Sequence, residues 1–107
     1  MLSSKNNQKE TMENTRKYLG LFIIAPGKID SIDEVKAAIG SVIGENSGQV
    51  VSDNLIGKKS LAYPIKKHKE GVYYDVIFTA VPTDVPRMMR QFRINTDILR
   101  TLIDIKE

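Results

Sequence analysis

The stretch Val72 to Val81 (VYYDVIFTAV) sets the tightest limit on how this chain can fold, because Val72, Tyr74, Val76 and Phe78 occupy every second position. A period of two belongs to a strand buried on one face; no helix brings those four side chains to one side. The preceding stretch from Gln49 to Lys66 also alternates: Val51, Leu55, Leu61, Tyr63 and Ile65 share one parity, and the other parity is largely polar. Two such segments in succession predict a hairpin through the basic turn Lys66 to Gly71, its first strand half-buried with room for a bulge at Gly57. Pro64 cannot donate to a ladder and places that first strand at a sheet edge.

The flanking segments complete a pattern. Tyr18 to Ala25 (YLGLFIIA) is apolar and aromatic and stops at Pro26-Gly27, which predicts a buried, central strand closed by a turn. Ser31 and Glu34 have capping-box spacing, and Ile32, Val35, Ile39, Val42 and Ile43 recur at helical intervals. A helix is therefore expected from about Ile32 to the Asn46-Ser47-Gly48 stop, with Gly48 as its left-handed cap. Gly40 and Gly44 within it read as a close-packing pair. After Pro82-Thr83-Asp84, with Thr83 as cap, Val85, Met88, Met89 and Phe92 describe a second amphipathic helix. Ile98 to Ile105 forms a last strand. The order β-α-β-β-α-β predicts an α+β, ferredoxin-like fold: a four-stranded antiparallel sheet with two helices on one face.

Length and composition bound the rest. The 107 residues, 41% of them hydrophobic, suit one domain with a modest core. Residues 1–15 are polar and lack apolar periodicity, so a flexible N-terminal tail is expected before a folded domain over 16–107. The longest apolar run is too short to cross a bilayer, and the first 17 residues lack the apolar core of a secretory signal, so a cytoplasmic protein without membrane contact is expected. No cysteine and a single histidine, His68, argue against disulfides, a zinc site, a thiol nucleophile and a proton relay. Neither a cofactor nor a metal is called for, no catalytic residue stands out, and no enzymatic activity is expected.

The charge distribution is more informative than the net charge of +3. From Lys58 to Lys69 the chain carries Lys58, Lys59, Lys66, Lys67 and Lys69 and no acidic residue. Such a cluster can neutralise phosphates, or it can protect an edge strand from aggregation. Arg87, Arg90, Arg93 and Arg100 form a second group, and arginine forks suit phosphates and base edges. Arg87 and Arg90 are expected in the C-terminal half of the second helix, where its dipole favours cations. Arg93 and Arg100 flank the loop that follows and are the stronger candidates. The aromatic residues do not have the spacing of an RNA-stacking sheet and are expected to serve the core, with at most Tyr18 or Tyr73 exposed.

The segment GKKSLAYPIKKHKEG, Gly57 to Gly71, resembles the central hairpin motif of the sixth protein of the bacterial small ribosomal subunit. Arg16-Lys17-Tyr18, Phe92-Arg93-Ile94-Asn95 and Ile98-Leu99-Arg100 follow the same family's order, so the resemblance spans roughly Arg16 to Ile105. It implies a ribosomal structural protein without catalytic activity. Such a protein binds the central domain of small-subunit ribosomal RNA together with the eighteenth protein of that subunit, and is a monomer when free. On the resemblance, Arg16, Lys17, Lys58, Lys59, Arg93 and Arg100 are the residues expected to meet RNA or the partner protein. Two other readings of the fold are an acylphosphatase-like hydrolase and a small-molecule-sensing or dimerisation module. The first needs an arginine in the loop after the first strand, which here reads Ala25-Pro26-Gly27-Lys28.

Overall fold

In the computed structural model, residues 14–106 are described. The tail expected over 1–15 lies outside them except for Asn14 and Thr15. The elements run β1 (Arg16–Ile24), a 3-10 turn (Pro26–Ser31), α1 (Ile32–Glu45), β2 (Gln49–Ile65), β3 (His68–Ala80), a second 3-10 turn (Pro82–Asp84), α2 (Val85–Ile94) and β4 (Ile98–Ile105). The strands make one antiparallel sheet in the order β2-β3-β1-β4, which is the expected ferredoxin-like arrangement with β1 and β3 central.

The core lies between the helices and one face of the sheet. Phe22 and Ile24 of β1, Val72, Tyr74, Val76 and Phe78 of β3, Val35, Ile39 and Ile43 of α1, and Met88 and Phe92 of α2 are all buried there. Fully burying one such side chain is worth about 1.5–3 kcal/mol, so these alternating and helical positions decide the fold. Phe22 joins the layers: its ring meets Phe92 edge-on at 4.8 Å and lies 6.4 Å from Tyr74. The Tyr74 hydroxyl donates to Asp53 Oδ2 at 2.6 Å. Burial, reinforced by that carboxylate, pushes the phenol well above its ordinary pKa.

Several local expectations are corrected. Gly48 is not the left-handed cap of α1; Ser47 takes that conformation at φ 64°. The Ser47 amide bonds the Gly44 carbonyl and the Gly48 amide bonds the Ile43 carbonyl, a complete Schellman closure. Gly48 is needed for space, since a Cβ there would sit 2.8 Å from both Ile43 Cγ2 and the Thr79 carbonyl oxygen. Neither Ser31 nor Thr83 caps a helix with its side chain, because a 3-10 turn leads into each helix instead. Gly40 and Gly44 are not in close packing, as a Cβ at either would have no neighbour within 4 Å. Arg87 lies in the first turn of α2 rather than its C-terminal half, 3.8 Å from Asp84.

The largest correction concerns β2, which is exposed over most of its length rather than half-buried. Among the described residues it is an edge strand with no neighbour beyond β3, as Pro64 suggested. Register shifts at Val50/Ser52 and Leu55/Gly57 also break its parity. Leu55 therefore faces the helices opposite Tyr74, whereas Val51 borders a hollow with Ile77 on the helix-free face. The second shift is the expected bulge, with Gly57 at φ 114°, a conformation that side chains resist. Beyond Val72, where pairing with β1 ends, β2 and β3 continue as a two-stranded arm. The domain is accordingly elongated, 53 × 25 × 21 Å. The arm closes through Lys66 (φ 49°) and Lys67 (φ 71°), with Ile65 paired to His68. That is the φ pattern of a two-residue type I′ turn, tighter than the expected turn over Lys66 to Gly71.

Candidate functional site

The six candidate cations divide between the two ends of the sheet. Arg16 and Lys17 open β1 at the end away from the arm, both exposed, and the Lys106 amide donates to the Lys17 carbonyl at 2.8 Å. Lys17 and Lys106, with Arg16, Val51 and Ile77, border an open hollow there. The nine residues of β1 put this end roughly 30 Å from the other. Lys106 was not singled out from the sequence, because its closeness to Lys17 depends on the β1–β4 register.

At the arm end the structure gathers cations from three elements. Arg93 at the C-terminus of α2, Arg100 on β4 opposite Ile23, and Lys66 at the arm's tip border one cavity of about 210 Å³. Met89, Phe92, Ile98 and Leu99 supply apolar wall, and Thr101 completes it. The sequence pointed to Arg93 and Arg100 as flanking one loop. It gave no sign that Lys66 would join them, since that follows from the arm's length and course. Lys58 and Lys59 sit where the arm leaves the sheet, opposite Val72 and Gly71, and so project to opposite faces. Lys59 Nζ lies 5.9 Å above the centre of the Tyr73 ring.

These cations are not consumed in holding the domain together. Among the described residues the ion pairs use Lys28 with Asp97, Lys36 with Asp53, and Arg87 with Asp84, so none of the six candidates is neutralised by a carboxylate. Arg87 also reaches Asn46 Oδ1 at 3.4 Å and serves the junction of the two helices. There buried Asn46 donates to the Val42 carbonyl and to Gln91 Oε1, each at 2.7 Å.

The aromatic expectation needs a correction at two residues. Tyr18 is buried and stacks on Phe78 at 5.6 Å, whereas Tyr63 on the arm is 82% exposed. Tyr63 belonged to the parity read as inward, and the failure of that parity along β2 is what exposes it. The loop after β1 is a 3-10 turn whose Lys28 amide bonds the Ala25 carbonyl and whose Lys28 side chain meets Asp97 at 3.6 Å. It offers no arginine and no free cation to an acyl phosphate. Among the described residues no group of three or more His, Cys, Asp or Glu side chains could hold a metal ion, and no helix is long and apolar enough to cross a membrane.

Comparison with known proteins decides the family. The model of the family described as ribosomal protein S6 matches residues 17–104. The chain belongs to the ribosomal protein S6 family. Small ribosomal subunit protein bS6 of Helicobacter acinonychis is 36% identical over 91 residues, covering 82% of this chain and 63% of that protein. The bS6 of a Nitratiruptor species is 38% identical over 88 residues, covering 81% and 69%. The chain thus spans somewhat less than two thirds of the length of the Helicobacter relatives. The crystal structure of 30S ribosomal protein S6 from Thermotoga maritima superposes with a TM-score of 0.78 at 26% identity, covering 86% of this chain and 88% of that one. The C-terminal domain of the MgtC protein from Mycobacterium tuberculosis gives a TM-score of 0.62 at 13% identity and shares the fold alone. The S6 matches take in β1 to β4, including the hairpin motif from Gly57 to Gly71 on which the resemblance was first noted.

Proposed function

We propose that this S6-family chain is a non-catalytic structural component of the small ribosomal subunit, in the bacterial cytoplasm, where it binds the central domain of the subunit's RNA together with the eighteenth small-subunit protein. The observation that carries this reading is the meeting of Lys66, Arg93 and Arg100, drawn from three elements and unpaired with carboxylates, at the arm end of the sheet. Cations left free at one place bind phosphates and displace their counterions, which is how a modestly charged protein holds RNA. Lys58 and Lys59 add one cation to each face at the root of the arm.

The partner protein is assigned to the helix-free face of the sheet. By register Leu19 lies there between Ile77 and Asp104, Leu21 lies between Asp75 and Leu102, and Leu102 is 51% exposed. Val51, 56% exposed, borders the same face. A surface of this kind, apolar side chains interspersed with the carboxylates of Asp75 and Asp104, suits a protein partner better than RNA. Arg16 and Lys17 lie at its far end and are assigned to that partner.

The test is a double substitution, Arg93→Ala with Arg100→Ala, measured against a central-domain RNA fragment in the partner's presence. Each lost phosphate contact lowers the magnitude of the salt slope by about 0.7–0.9, so the double variant should lose roughly 1.5. The opposite variant, Leu102→Ala, should weaken capture of the eighteenth protein and, because it adds no charge near Arg100, leave the salt slope of RNA binding by the chain alone unchanged. Unaltered slopes and affinities in both variants would refute the assignment.

A further inference from the structure

The cavity at the arm end has more structure than phosphate binding requires. A phosphate is served by exposed cations alone, yet Lys66, Arg93 and Arg100 line a hollow of about 210 Å³ together with Met89 and Leu99. That volume is below the roughly 300–1,000 Å³ typical of pockets for drug-sized ligands. Among the described residues its lining contains no carboxylate, and Thr101 supplies the one hydroxyl. A hollow lined by both apolar side chains and cations fits a ligand with a flat, weakly polar body and anionic charge beside it.

We infer that this cavity receives one unpaired base of the bound RNA, with Arg93, Arg100 and Lys66 holding the phosphates that flank it. The inference rests on the RNA-binding reading above and names what part of the RNA this end takes. A base in a duplex is stacked on both faces and cannot enter, so the site selects a loop or bulge. Guanidinium groups add a stacking surface for an unstacked base, which ammonium groups do not. Arg93 is anchored by the last turn of α2, and Arg100 by its place in the ladder opposite Ile23. Lys66 comes from the arm's tip, so both the size of the cavity and its third cation depend on how the arm is held.

The experiment compares, at 50 mM salt and across a salt titration, two single strands of equal phosphate number, an oligouridine nonamer and the same strand with its central nucleotides abasic, with a nine-base-pair RNA duplex, whose two strands carry twice as many phosphates. Wild-type protein should bind the single strand about tenfold more tightly than the abasic strand. Met89→Trp, which fills the cavity from an only half-buried position, should remove most of that difference without changing the salt slope. Arg93→Ala should reduce the slope for all three probes. Circular dichroism and urea unfolding establish that each variant is folded. Equal affinity for the base-bearing and abasic strands, or a Met89→Trp variant that discriminates like wild type, overturns the base-binding inference; salt-dependent binding to the central-domain fragment would then still stand. No binding to any probe or to that fragment overturns both readings. Capture of an acidic aromatic peptide at this cavity in place of RNA overturns the inference as well.

Discussion

The tip of the β2–β3 arm places two consecutive lysines in the left-handed backbone region, Lys66 at φ 49° and Lys67 at φ 71°. An L-residue with a Cβ pays roughly 1–2 kcal/mol for that conformation; asparagine tolerates it better and glycine adopts it freely. Type I′ turns accordingly favour Asn-Gly. Replacing Lys66-Lys67 by Asn-Gly should relieve strain at both positions, while the added freedom of glycine in the unfolded chain takes back about 0.5–1 kcal/mol. The control is Ala-Ala, which removes the same two charges and keeps both Cβ atoms. Asn-Gly should exceed Ala-Ala in stability by about 1–2 kcal/mol. Among the described residues the arm's strands beyond Val72 pair only with each other, so local opening can precede global unfolding. Hydrogen exchange of the amides from His68 to Gly71 is therefore the direct assay, with urea unfolding as the global one. Asn-Gly should slow exchange about fivefold or more relative to Ala-Ala. Equal protection in the two variants would refute the strained-turn reasoning. Both should lose the same amount of RNA salt slope, because strain and charge are separable.

Three further outcomes follow from the packing and the assignment. Tyr74 has its pKa raised in the folded state, so its contribution to stability is complete below pH 10 and is lost as pH rises towards the folded value. Tyr74→Phe should cost about 1 kcal/mol at neutral pH and flatten the alkaline loss, as followed by urea unfolding at pH 7 and above pH 10; an unchanged pH slope would count against a phenol raised by its burial and by Asp53. Asn46→Ala removes a buried amide that ties α1 to Gln91, and Gly48→Ala forces a Cβ against the Thr79 carbonyl; each should lower stability by about 1–3 kcal/mol in urea. The free chain should run as a monomer in light scattering, since the proposed partner surface awaits a different protein.

Much of the fold was legible because burial is periodic. Val72, Tyr74, Val76 and Phe78 are inward as their spacing required, and Met88 and Phe92 likewise. Ile98 to Ile105 is the last strand, with both ends as expected. What failed to read was backbone geometry that side-chain pattern does not encode. The register shift at Val50/Ser52 puts Val51 and Leu55 on opposite faces, and an edge strand does not need a buried parity. The left-handed residue after α1 is Ser47 because the closure is counted from hydrogen bonds, whereas Gly48 answers to crowding by Thr79. Of the candidate site, Arg93 and Arg100 were readable as neighbours in the chain. Lys66 beside them, and Lys106 beside Lys17, arise from tertiary geometry.

The measurement that bears most directly on the account is equilibrium binding of this chain to a central-domain fragment of small-subunit ribosomal RNA, with and without the eighteenth small-subunit protein, across a salt titration. The account predicts weak binding alone, tighter binding with the partner, and a logarithmic salt slope of about −2 to −4, as expected for three to five phosphate contacts. Folded protein that fails to bind in either condition, or that binds without dependence on salt, would contradict it.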